Sequence, residues 1–148
     1  MRAVKLIGFC IVVCSSLSAL AATSPAVVLG ERALREECSA FSEAGMRECL
    51  AKKVDKSQKT LQQAEKQAAG VLAKWDEEHQ YINQSKTRLA ISNKVFVKYR
   101  ETHCDFLASL SGGGAGNSHE IGRLACVAEL NNRRAQQLLD AVSDLPLK

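Results

Sequence analysis

Apolar residues recur every seven positions along most of this chain, and that spacing constrains the fold more than any other feature. A seven-residue repeat places apolar side chains along one side of a helix that packs against other helices. The repeat runs through three successive segments. Its positions are Val54, Leu61, Ala68, Trp75 and Ile82, then Leu89, Phe96, His103 and Leu110, and finally Ile121, Ala128, Ala135 and Val142.

Breaks in this pattern divide the chain into helices. Ala44 and Gly45 end a short helix that we predict over residues 31–41. One long helix is predicted to follow over roughly residues 46–81, and Asn83-Gln84-Ser85 is predicted to form the next turn.

A glycine-rich loop, residues 111–118, separates the third helix from the last one. Asn117, with Glu120 three positions later, resembles a capping box that begins the last helix, and Pro146 ends it. No alternating strand pattern is present. The sequence therefore predicts an all-α fold, an antiparallel bundle of about three long helices plus a short N-terminal helix, stapled by disulfides.

The first 22 residues have the three zones of a secretory signal. Arg2 and Lys5 precede an apolar run over residues 6–13, and small residues follow over 15–22. The apolar run is shorter than the roughly 20 residues that span a bilayer. We therefore expect export to the periplasm or the medium, with no stable membrane insertion after processing.

Cleavage is predicted near Ala21 or Ala22, because small residues surround both positions. Residues 23–30 are then a flexible linker and residues 31–148 a single helical domain. Loss of Arg2 and Lys5 leaves 18 basic against 16 acidic side chains, a net charge of about +2. That small charge, without interleaved aromatic residues, is not typical of a nucleic-acid-binding protein.

Four cysteines remain after cleavage, and an even number in an exported chain favours disulfides. They lie symmetrically about two predicted bends, so the nested pairs are favoured, although crossed pairing is also compatible with the sequence. Each nested bridge would stabilise the fold by roughly 3 kcal/mol. The favoured pairs are Cys38 with Cys49 and Cys104 with Cys126.

No motif in the chain predicts catalysis. Residues 116–120 begin like a nucleophile elbow, but no strand precedes them and the final glycine is missing. The glycine-rich loop lacks the Lys-Ser/Thr pair of a phosphate-binding loop. His79, His103 and His119 do not share metal-ligand spacing. We therefore predict a non-enzymatic protein with no cofactor and no metal site.

Two segments resemble a known family. Residues 92–104, SNKVFVKYRETHC, resemble the pattern A-Q-R-A-W-x-x-[FY]-R-D-x-x-C, and residues 126–134, CVAELNNRR, resemble C-L-x-x-L-T-x-x-R. Both patterns are typical of the LprI-like lysozyme-inhibitor domain family. Cys38 and Cys49 are similar to the N-terminal cysteine pair of that family.

The resemblance implies an exported protein-binding module, with lysozyme as its specific partner. Lysozyme has two carboxylates in a cleft, so a polar loop or an arginine that fills the cleft would exclude substrate. Arg100 also has a structural interpretation, in which it joins neighbouring helices. The predicted partner-binding residues are Arg100, Ser111, Gly112, Gly113, Asn117, Ser118 and His119.

An alternative function is that of an envelope accessory or stress-related protein that binds another periplasmic partner. A net charge of about +2 gives no general attraction to a strongly basic lysozyme, so binding would depend on local contacts. The sequence leaves both partners open, and it leaves the oligomeric state undetermined.

Overall fold

The computed structural model describes residues 28–114 and 116–148, which form four helices. They are α1 (Glu31–Glu37), α2 (Glu43–Lys74), α3 (His79–Ser109) and α4 (Ser118–Val142). Within the described ranges there is no strand, which confirms the all-α prediction. The predicted signal peptide and the linker as far as residue 27 lie outside the described residues. No helix in the described part of the chain is apolar and long enough to cross a membrane.

The bundle is built around the pair α2 and α4, which run parallel to each other and antiparallel to α3. α2 and α4 form the most extensive helix contact, whereas α3 packs mainly against α4. The seven-residue repeat of α2 and α4 is confirmed as the core. Its buried members are Leu50, Leu61, Ala64, Ala68, Ile121, Leu124, Ala128, Ala135 and Leu138.

The break after α2 differs from the prediction. The helix ends at Lys74, and residues 83–85, predicted as the turn, lie inside α3. Trp75 takes an extended conformation and forms an isolated antiparallel bridge with Leu147. The Asp76 amide donates to the Pro146 carbonyl at 2.8 Å. Pairing with the C-terminal segment therefore keeps Trp75 and Asp76 out of the helix, although the local apolar spacing predicts that the helix continues there.

The predicted core face of α3 is only partly correct. Leu89 and Phe96 pack against the cluster formed by α2 and α4. Leu110, which continues the repeat, is instead exposed, and so are Tyr99 and Phe106, which are interleaved with the repeat in the sequence. Their exposed fractions are 67%, 50% and 57%. They are exposed because α3 lies on the outside of the α2–α4 pair, so only one of its faces is covered.

The predicted capping box at the start of α4 is also wrong in its hydrogen bonds. Asn117 occupies the cap position, but its side chain makes no capping hydrogen bond. Glu120 instead accepts two hydrogen bonds from Arg123, both at 2.9 Å. These bonds hold the pKa of Glu120 below its ordinary value, and the charged form of the carboxylate is therefore favoured.

Both favoured disulfides are present. Cys38 is joined to Cys49 across the α1–α2 connection, and Cys104 is joined to Cys126 between α3 and α4. Three of these cysteines are buried within the apolar clusters, and Cys49 is partly buried. Each bridge therefore connects two helices at the core rather than at the surface.

The N-terminus of α1 is attached to α4 by a glutamate. The Glu31 amide donates to a carboxylate oxygen of Glu129 at 2.9 Å. Partial burial and the nearby charge of Glu129 raise the pKa of the Glu31 side chain, while Arg35 and His103 oppose the shift. The charged Glu31 side chain is therefore less favourable in the folded protein than in the unfolded chain.

Replacing Glu31 with Gln is expected to raise the melting temperature at neutral pH. Because folding raises the pKa of Glu31, the folded state binds more protons there, and this group's contribution to stability falls as pH rises. The gain in melting temperature should disappear below pH 4.5, the ordinary pKa of a glutamate, because Glu31 is then protonated in both the folded and the unfolded state. Thermal unfolding measured at neutral pH and below pH 4.5 tests this expectation. Glu36→Gln, on the exposed face of α1, is the control. An equal gain at both pH values would contradict it.

Candidate functional site

The loop between α3 and α4 contains most of the predicted partner-binding residues. It follows Ser109, the last residue of α3, and ends at Asn117, the residue before α4. Gly112 and Gly116 have positive φ angles of 74° and 51°, a backbone conformation that residues other than glycine rarely adopt. These two glycines allow the chain to reverse within a short connection.

His119 fixes one side of this loop. Its Nδ1 atom lies 2.7 Å from the Ala108 carbonyl oxygen, and its Nε2 atom lies 2.7 Å from the Gly112 carbonyl oxygen. Each ring nitrogen faces a carbonyl acceptor, so whichever nitrogen carries the proton donates a hydrogen bond to the bundle or to the loop. His119 thereby joins the first turn of α4 to the end of α3 and to the loop.

The disulfide between Cys104 and Cys126 adds a second, covalent link between the two helices that carry the loop. Its Cα atoms are 5.6 Å apart, and both cysteines are fully enclosed. His119 and the disulfide thus hold the two ends of the loop in place, and we call these held ends the loop's fixed base. Gly113 and Gly114, in the middle of the loop, are exposed.

A groove of about 450 Å³ lies beside the loop, where α1, α2, α3 and α4 meet. Two predicted site residues, Ser111 and Ser118, are on its wall. The groove has charged side chains as well as apolar ones. The remaining wall residues are Glu31, Arg35, Glu43, Met46, Leu107, Ile121 and Gly122.

The loop residues are brought together at one end of the bundle, but they differ in exposure. Ser111, Gly112, Gly113 and Ser118 are exposed, and Asn117 is partly exposed. His119 is partly buried because its ring contacts two carbonyl groups of the loop base. A direct partner contact is thus sterically available to the first five residues, whereas His119 is placed to support them.

Arg100 lies away from the loop and points into the bundle, with 11% of its side chain exposed. One guanidinium nitrogen donates to Gln58 at 2.9 Å and to Asn131 at 2.7 Å. Asn131 is fully buried, and its amide donates to the Ser57 hydroxyl at 3.1 Å. These contacts support the structural interpretation of Arg100, since its donors join α3 to both α2 and α4.

The same network continues to a second arginine through an aromatic ring. The guanidinium groups of Arg100 and Arg134 lie 5.9 and 5.7 Å from the Phe96 ring centre, within the range of a cation–π contact. Arg134 also donates to the Ser92 hydroxyl at 2.8 Å. The polar residues shared with the family patterns thus meet where α3 packs on α4.

This arrangement agrees with the comparison of the chain with known families. Residues 36–138 match the family described as "Lysozyme inhibitor LprI", which is more than half of the chain. The chain belongs to the LprI family. No curated protein and no solved structure matches the chain.

LprI membership implies a lysozyme-inhibitor role, and therefore a protein-binding role. The matched residues include both disulfides, α2, α3 and most of α4. In the described part of the chain, no cluster of three or more His, Cys, Asp or Glu residues is arranged to hold a metal ion.

Sequence reasoning missed the partners of Arg100. Asn131 interrupts the apolar repeat of α4, and Ser57 falls at an inward position of α2. Two polar residues at such positions on neighbouring helices are a usable signal, because buried polar groups require partners. Ser57 bonds to Asn131 rather than to Arg100 itself, and Gln58, the other acceptor of Arg100, gives no such signal, since it is only partly buried.

Proposed function

We propose that the protein is an exported inhibitor that binds lysozyme through the loop between α3 and α4. The observation that carries the proposal is the presentation of this loop on a fixed base. His119 and the bridge between Cys104 and Cys126 hold the base, and the exposed glycines extend beyond it. A loop that is held in place before binding loses less conformational entropy on association.

The shape of this end of the bundle favours insertion into a cleft. Gly113 and Gly114 carry no side chain, so backbone amide groups approach a partner closely. The groove beside the loop offers room for the rim of a cleft. Together they form a protrusion next to a depression, which is complementary to an enzyme with a recessed substrate site.

This end of the bundle offers backbone amide donors to a pair of carboxylates. The parallel helices α2 and α4 both begin here, and helix N-termini carry partial positive charge. Asn117 leaves the first amide groups of α4 without a side-chain cap. Glu43 and Glu120, in the first turns of these helices, offset part of this charge, so the proposed contact rests on the backbone donors and not on a positive field.

Replacing Gly113 with Leu is expected to weaken lysozyme inhibition at least tenfold. An added Cβ at this position meets no atom of the described residues within 4 Å, so the described part of the bundle accommodates the change. The side chain would instead widen the loop that enters the cleft. The readout is lysis of a cell-wall suspension by lysozyme, measured against increasing concentrations of the oxidised mature protein. Asn117→Ala should weaken inhibition in the same assay.

Gly70→Leu is the matched control, because Gly70 is exposed on α2 and an added Cβ there also meets nothing within 4 Å. It lies near the opposite end of the bundle and should inhibit like the unmodified protein. Equal inhibition by the Gly113 and Gly70 variants would exclude the loop as the binding site. Undiminished lysozyme turnover with a large excess of unmodified protein would exclude lysozyme as the partner.

A further inference from the structure

The outer face of α3 carries a stripe of exposed residues that none of the other three described helices covers. We call it the α3 stripe. Its apolar members are between 50% and 67% exposed, whereas the buried residues of α3, such as Cys104 and Ala108, lie on the other side of the helix. The stripe consists of Ile91, Val95, Tyr99, Thr102, Phe106 and Leu110.

The spacing of the stripe is symmetric about its own centre. Successive members are four, four, three, four and four residues apart. A second copy of α3 packed antiparallel therefore places Ile91 against Leu110, Val95 against Phe106, and Tyr99 against Thr102. Each contact occurs twice, as a two-fold symmetric dimer requires. Steps of three and four residues keep all six members on one side of α3.

The charges along one edge of the stripe also change sign near its centre. Lys94 and Lys98 precede the centre, while Glu101 and Asp105 follow it, and all four side chains are exposed. Antiparallel packing brings the basic half of one helix beside the acidic half of the other. Lys98 then lies about 3 Å along the helix from the level of Glu101 on the other copy, and Lys94 lies equally far from the level of Asp105, which the length of a lysine side chain spans. Parallel packing would place like charges together.

The size of the surface is adequate for a reversible dimer. The stripe is about 28 Å long at 1.5 Å per residue. Its five apolar members each expose roughly 100 Å², and the charged edge adds to this. The total approaches the roughly 800 Å² that each partner contributes to a specific interface of standard size.

We propose that the α3 stripe is the interface of an antiparallel homodimer. The dimer axis passes between Arg100 and Glu101, halfway along the stripe. The stripe ends at Leu110, just before the loop, so the two loops lie at opposite ends of the dimer. Each dimer thus presents two loops that do not cover each other. The proposal concerns a face separate from the loop and does not depend on the identity of the loop's partner.

Sedimentation of the oxidised mature protein over a range of concentrations tests the proposal. The unmodified protein should pass reversibly from monomer to dimer. Val95→Glu alone and Phe106→Lys alone should each raise the dimer dissociation constant at least tenfold. Val97→Glu is the control, since Val97 is exposed on α3 but outside the stripe, and it should dimerise normally. Circular dichroism verifies that every variant keeps its helices.

The double variant Val95→Glu with Phe106→Lys tests the register itself. In the proposed dimer, position 95 of one copy faces position 106 of the other, so the new charges attract and dimerisation should recover. Failure to recover would overturn the antiparallel register. A protein that remains monomeric at all concentrations would overturn the proposal. So would a loss of lysozyme binding in the Val95→Glu monomer, because it would assign the stripe to lysozyme instead.

Discussion

Replacing Cys104 and Cys126 together with alanine is expected to lower the free energy of unfolding by about 3 kcal/mol. The bridge closes a loop of 22 residues, and removing it restores conformational entropy to the unfolded chain. Both side chains are enclosed within the cluster that they form with Val127, so packing contacts are lost as well. Denaturation by urea, monitored by circular dichroism, measures the change.

The bridge between Cys38 and Cys49 is the comparison, because it closes a loop of only 11 residues and holds a helix of only seven. Its removal should release α1 while α2, α3 and α4 stay folded. Hydrogen exchange should then rise in α1 alone, whereas loss of the Cys104–Cys126 bridge should raise exchange in the loop and in the adjoining ends of α3 and α4. An unchanged unfolding midpoint after loss of Cys104 and Cys126 would contradict the prediction.

The pair Cys104 and Cys126 was predictable from a local rule, because residues at similar distances from the turn of a helical hairpin face each other. Cys38 and Cys49 are paired as predicted, but the bend predicted at Ala44 and Gly45 is wrong, since both residues lie in the first turn of α2 and the connection from α1 is residues 38–42. The core of α2 and α4 was predictable for a similar reason. Leu61 and Ala135, for example, belong to repeats that are regular along their own helices, and both are buried.

The end of α2 was not predictable in this way, because residues distant in sequence determine it. Trp75 continues the seven-residue spacing, yet its backbone pairs with Leu147, which is 72 positions away. The acidic residues 76–78, directly before α3, are the local signal that was available, since acidic side chains favour the start of a helix.

The spacing of apolar residues within α3 alone also could not predict which face of this helix is buried. α3 has apolar residues on two sides, with Leu89 and Phe96 toward the bundle and Ile91 and Val95 toward solvent. The spacing shows that both sides are apolar, but the close pairing of α2 with α4 decides which one is covered. The buried face of α3 therefore depends on how α2, α3 and α4 pack together.

Replacing Arg100 with Met is expected to lower the free energy of unfolding by about 3 kcal/mol. Hydrogen bonds to a charged group contribute roughly 1.5–3 kcal/mol, and the change also leaves a buried acceptor of Asn131 without its donor. Asn131→Leu should cost a similar amount, because it leaves the enclosed guanidinium without one of its two acceptors.

A double-mutant cycle separates this network from two independent effects. With both residues apolar, no buried donor or acceptor of the pair is left unsatisfied, so the double variant should cost less than the sum of the two single variants. Arg133→Met is the matched control. Its side chain is 58% exposed and pairs with Glu129 on the same helix, so its removal should cost less than about 0.5 kcal/mol.

The same variants distinguish the two interpretations of Arg100. If the guanidinium only joins α3 to α2 and α4, the Arg100→Met protein should inhibit lysozyme normally at temperatures where it remains folded. A loss of inhibition in the folded variant, without any change in the loop's hydrogen exchange, would instead assign Arg100 to the binding surface. Burial favours the first result, because a side chain with 11% of its surface exposed has little area to offer a partner.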